Sequence, residues 1–80
     1  MGHRPIPKNI WIAWLRFRGL ELLRTKGDHQ SWNYPEKHRK LLRPITFSSN
    51  RKEVAAFHVS TCLRTMGVDY DEFIKEIKNL

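Results

Sequence analysis

Residues 24–32 read Arg-Thr-Lys-Gly-Asp-His-Gln-Ser-Trp, which places one imidazole among cations beside a pair of turn-forming residues. His29 is the group in this stretch with a reaction to offer. An imidazole can take a proton from a ribose 2′-hydroxyl. Cations beside it can hold the phosphate and offset the negative charge of a pentacoordinate transition state. Arg24 and Lys26 are spaced for that second task. The chemistry suits RNA, because DNA lacks the hydroxyl, and a general base of this kind accelerates a reaction by about 100- to 10,000-fold. Asp28 adds a carboxylate that can pair with an imidazolium and that repels a phosphate unless the turn points it away. The same residues also fit a polar, solvated face that binds without cutting.

The histidine is useful only if the chain positions it. Gly27 and Asp28 lie between "LELLRTK" and "HQSWNY" and read as the centre of a two-residue hairpin of type II′, with Gly27 supplying the positive φ. Such a turn fixes the register: Lys26 opposes His29, Thr25 opposes Gln30, Arg24 opposes Ser31 and Leu23 opposes Trp32. Opposed residues share a face of a sheet, so one face carries Arg24, Lys26, His29 and Ser31, and Ser31 joins the cations as a candidate phosphate contact. The other face carries Leu23, Trp32 and Tyr34. Leu20 and Leu22 fall on the polar face by this count and ask for cover from the N-terminal arm or a partner.

Around the hairpin the pattern is α-β-β-β-α-α. Pro5 and Pro7 suit an extended arm and a helix start. The helix spans about Pro7 to Arg18, stops at Gly19, and has an inward face of Ile10, Trp11, Trp14 and Leu15. "PEKHRKLLRP" is a basic connector whose Lys37, His38, Arg39, Lys40 and Arg43 suit a mobile, phosphate-attracting loop. "ITFS" reads as a third strand, with Ile45 and Phe47 inward and Thr46 and Ser48 on the open face. Asn50 and Glu53 have capping-box spacing for a helix from about Arg51 to Met66, whose stripe is Ala55, Val59, Cys62, Leu63 and Met66. A last helix opens at Asp69, with Glu72 three residues on, and turns Tyr70, Phe73, Ile77 and Leu80 inward. The expected fold class is therefore α+β, one domain over residues 1–80, with a three-stranded antiparallel sheet, helices packed on one face and the other face open to a ligand.

Composition sets the bounds. Eighty residues leave no room for a second domain, and four phenylalanines, three tryptophans and two tyrosines exceed what a disordered tail carries. Fifteen Lys and Arg against eight acids give a net charge of +7, a field that attracts phosphates or acidic proteins. The single cysteine, Cys62, excludes an internal disulfide and fits a reducing cytoplasm. Its place on an apolar stripe argues against a thiol nucleophile. The densest apolar stretch, "IWIAWLRF", is interrupted and followed by arginines, which is wrong for a signal peptide or a membrane span. There is no glycine-rich phosphate loop. His3, His29, His38 and His58 have no metal-ligand spacing, so neither a metal nor another cofactor is expected.

With these blocks in place, the chain resembles the HicA toxins of bacterial type II toxin-antitoxin systems. The resemblance covers most of the sequence. It rests on the short first helix ending in Gly19, on "GLELLRTKGDHQSW" with its Gly-x-His turn, on "LLRPITF" and on "LRTMGVDYDEF". It implies a double-stranded-RNA-binding-domain-like fold and a metal-independent mRNA interferase whose essential residue is the histidine after the turn, here His29. It further implies an RNA substrate, a HicB-type antitoxin covering the active face, and DNA contact only through that antitoxin. Two positions differ from many members: Asp28 stands where serine is usual, and "FSSN" lacks a histidine after the third strand. A non-catalytic RNA-binding module and a pure protein-interaction domain are the alternative readings of the same basic face.

Overall fold

The computed structural model describes residues 4–80, so His3 lies outside the described residues. Its elements are β1 (Ile6–Pro7), α1 (Lys8–Phe17), β2 (Glu21–Lys26), β3 (His29–Asn33), β4 (Ile45–Ser48), β5 (Glu53–Val54), α2 (Ala56–Met66) and α3 (Tyr70–Lys78). Strands β2, β3 and β4 form an antiparallel sheet in that order, and β1 pairs with β5 as a separate two-residue ribbon. The α+β class, three-stranded sheet and three helices follow the sequence expectation. The ribbon is an addition to it.

The core is aromatic and joins all three helices to one face of the sheet. Trp11, Trp14, Trp32, Phe47 and Phe73 are fully buried with Leu15, Ile45 and Val59. Trp14 meets Phe73 edge to face at 4.7 Å, and Trp11 meets Phe47 at 6.2 Å and 90°. Edge-to-face contact adds about 0.5–1.5 kcal/mol per pair to the area term. At the rim of this cluster, Trp14 Nε1 donates to Glu76 Oε1 at 2.8 Å, and Arg18 bridges Glu76 and Glu72 at 3.0 and 2.9 Å. Helices α1 and α3 are thereby tied together. The first helix keeps its forecast bounds within a residue, but Ile10 is exposed and Ile12 is the residue that packs on the core. In α3, Ile74 packs inward, whereas Leu80 lies beyond the helix and is exposed.

The hairpin register holds for three pairs and then slips. Lys26 faces His29, Thr25 faces Gln30 and Arg24 faces Ser31, but Leu22, not Leu23, faces Trp32. Leu23 is the extra residue of a β-bulge, which reverses the inward and outward alternation beyond it. Leu23 is consequently exposed, and Leu20, expected on the polar face, is buried at 3 % exposure. The strand after the connector follows expectation: Ile45 and Phe47 are buried, Thr46 is exposed and Ser48 is half-buried.

The second helix begins five residues later than its capping-box spacing predicts. Glu53 and Val54 pair with Pro7 and Ile6, and Ala55 stays extended with ψ 147°, so the helix starts at Ala56. Strand pairing holds residues 53–54 in a conformation that a helix cannot share, and Ala55 is exposed instead of lying on the inner stripe. Val59, Cys62 and Leu63 are buried as the stripe predicts. Burial pushes the Cys62 thiol up to about 12, against a hydrogen bond with the Thr46 backbone that acts the other way.

The connector is pinned at two places. Asn33 Oδ1 accepts from the Tyr34 and Leu41 amides at 2.8 and 2.9 Å, and the Arg39 guanidinium lies 4.2 Å over the Tyr34 ring. Arg39, expected among the phosphate-attracting charges, also donates to the Arg18 carbonyl and pairs with Glu36.

Candidate active site

The polar side chains of the open face lie in rows across the sheet. Lys26, His29 and Ser48 form one row, and Arg24, Ser31 and Thr46 form the next. His29 is therefore central: β2 puts a lysine on one side of it and β4 a serine on the other. Arg24 and Lys26 are exposed, as a phosphate contact requires. Ser31 is 9 % exposed, and its hydroxyl lies 3.3 Å from that of Thr46, so its hydrogen-bonding capacity is partly spent inside the sheet.

The turn itself is tethered. Gly27 has φ 60°, a conformation that disfavours a Cβ, and Asp28 keeps negative φ, which fits type II′ and excludes I′. The Asp28 carbonyl accepts from the Ser49 amide at 2.6 Å and from the Ser49 hydroxyl at 3.1 Å. The hairpin tip is thus bound to the chain leaving β4. The Asp28 side chain reaches the next residue: its Oδ1 lies 2.8 Å from Nδ1 of His29. That contact selects the orientation and tautomer of the ring, and the second ring nitrogen, Nε2, has no hydrogen-bond partner among the described residues. Half of each side chain is solvent-exposed, so the pair is an orienting contact worth little to stability.

On the β4 side, His29 and Asp28 border a cleft of about 480 Å³. Ser48, Asn50, Arg51 and Glu53 line it, together with Phe57 and His58 from the first turn of α2. Ser48 Oγ donates to Asn50 Oδ1 at 2.6 Å, and Lys8 Nζ donates to the Ser49 carbonyl at 2.6 Å, so this lining is braced from α1 as well. The ribbon of β1 and β5 sets where the strand ends and α2 begins.

Comparison with family models, curated proteins and solved structures returns no match. The chemistry of the site is therefore read from its own residues.

The cleft gathers residues that sequence spacing kept apart. His29 and His58 are 29 positions distant yet border one cavity, and Arg51 is a cation of that cavity that no local motif marks. One signal for His58 is present in the sequence: Phe57 and His58 fall off the apolar stripe of Val59, Cys62 and Leu63. The structure agrees, leaving Phe57 at 73 % exposure beside that histidine. His38 stays in the connector, outside the cleft. Among the described residues no group of three His, Cys, Asp or Glu side chains could hold a metal ion, and no helix is long and apolar enough to cross a membrane.

Proposed function

We infer that this protein is an endoribonuclease of the HicA toxin type, cutting RNA with its own side chains and without metal or cofactor. The observation that carries the reading is the Asp28–His29 pair. A ring held through Nδ1 presents Nε2 as the group that removes the 2′-hydroxyl proton, and the Asp28 carboxylate offsets the charge that develops on the ring. Lys26 and Arg24 flank it from β2 to meet the phosphate. The open polar face and the sheet-plus-helix build agree with the double-stranded-RNA-binding-domain-like fold that the family resemblance implies. On the same resemblance, the toxin acts in the cytoplasm, a HicB-type antitoxin neutralises it by covering this face, and DNA is met only through that antitoxin.

The test compares wild type with His29→Ala, first by induction in bacteria and then as purified protein on RNA in the presence of a chelator. Wild type arrests growth and cleaves RNA to 2′,3′-cyclic phosphate ends, and the variant does neither at an unchanged melting temperature. Equal cleavage by both proteins would remove His29 from the reaction. RNA binding by both with cleavage by neither would leave a binding module on the same face.

A further inference from the structure

Histidine 29 alone leaves half of the reaction unserved. In an in-line displacement at phosphorus the attacking 2′-oxygen and the departing 5′-oxygen lie on opposite sides of the phosphorus atom. A single imidazole, fixed at Nδ1 by Asp28, attends one of them. The departing oxygen needs a proton from a second group on the other side of the bound phosphate. The lining of the same cleft includes one. His58 is the third residue of α2, half-buried, and its ring meets the Phe57 ring edge-on at 5.2 Å and 82°. It lies off the stripe by which α2 packs, so the core does not account for its placement.

We propose that His58 is the second proton-transfer group of this cleft, the acid that protonates the departing 5′-oxygen while His29 acts as the base. The inference rests on the endoribonuclease reading. In the step, the 2′-hydroxyl proton passes to Nε2 of His29 and the O2′–P bond forms. The P–O5′ bond breaks, and O5′ takes the proton carried by the His58 imidazolium. The products are a 2′,3′-cyclic phosphate and a 5′-hydroxyl, with His29 left protonated and His58 neutral. Proton exchange with water then resets both rings. Arg51, in the same cleft, is the cation available to the non-bridging oxygens.

A sulfur leaving group separates this role from a structural one, because a thiolate departs without protonation. Wild type, His58→Ala, His58→Gln and His29→Ala are compared on an RNA with one mapped cleavage site and on the same RNA with sulfur replacing the bridging 5′-oxygen there. His58→Ala and His58→Gln cleave the oxygen substrate at least ~100-fold more slowly than wild type, yet come within a few-fold of it on the sulfur substrate. His29→Ala is slow on both. Glu53→Gln, the control for another proton carrier lining the cleft, keeps the oxygen-to-sulfur ratio of wild type. His58 variants that match wild type on both substrates, or are equally slow on both with unchanged melting, overturn the proposal, as does the rescue pattern appearing in Glu53→Gln. Absence of cleavage by wild type on either substrate overturns the nuclease reading beneath it.

Discussion

The two edges of the three-stranded sheet are treated in opposite ways. At the β4 edge, α2 lies alongside: the Cys62 thiol bonds with the Thr46 backbone, and Val59 and Leu63 are buried within 2 % exposure. At the β2 edge every residue from Glu21 to Lys26 is exposed, including Leu22 and Leu23. The bulge at Leu23 interrupts that edge, one of the ways in which natural sheets blunt an open strand. On the endoribonuclease reading, the difference locates the chemistry. A covered edge supplies the second wall that a cleft requires, whereas the open edge supplies only cations facing solvent. His29, on the central strand, draws on both.

Perturbing the two edges should therefore give effects of very different size. The largest belongs to the residue between them: His29→Ala lowers RNA cleavage by about 100- to 10,000-fold, read in single-turnover assays, with no change in melting. Next comes the covered edge, where Leu63→Ala costs about 2–5 kcal/mol in denaturant unfolding, because its side chain leaves a cavity under α2. Cys62 provides a second readout there. A thiol raised by burial to about 12 is almost wholly protonated at neutral pH, so alkylation in the folded protein is far slower than in denaturant and accelerates on opening of α2. The sign follows for stability as well. A folded-state value above 9.0 means that the folded protein holds this proton more tightly, so the Cys62 contribution is complete below pH 9 and is lost between pH 9 and about 12. Gly27→Ala, at φ 60° with nothing within 4 Å of the added Cβ, costs about 1–2 kcal/mol from backbone strain alone. The smallest effect is at the open edge, where Leu23→Lys changes stability by less than about 0.5 kcal/mol. A large loss there would mean that β2 is not the bare edge described above.

What could be read in advance tracks the range of the interactions involved. The turn at Gly27–Asp28 is a local signal, and the three pairs nearest to it followed from turn geometry alone. The bulge at Leu23 was not legible, because "ELLR" contains no glycine or proline to mark it and the burial of Leu20 depends on the tertiary core. The start of α2 was misplaced for the opposite reason. A local motif, Asn50 with Glu53, competes with a pairing of Glu53–Val54 to Pro7–Ile6 across more than forty positions, and the long-range pairing wins. The candidate site divides likewise. His29, Arg24 and Lys26 came from one short stretch. Arg51 and His58 line one cleft with His29 only because the β5 pairing fixes where the strand stops and the helix begins.

That pairing has a mechanical consequence. The segment from Ser49 to Val54 is fastened at Ser49 to the Asp28 carbonyl and the Lys8 ammonium, at Lys52 through its carbonyl to the Lys8 amide, and at Glu53–Val54 to Pro7–Ile6. A chain of fixed contour length tied at three points cannot bow outward without breaking a hydrogen bond, so this side of the cleft is held in place. On the endoribonuclease reading a nucleotide must fit that gauge, which makes the N-terminal residues Ile6–Lys8, remote in sequence from both histidines, part of what shapes the cleft that both line.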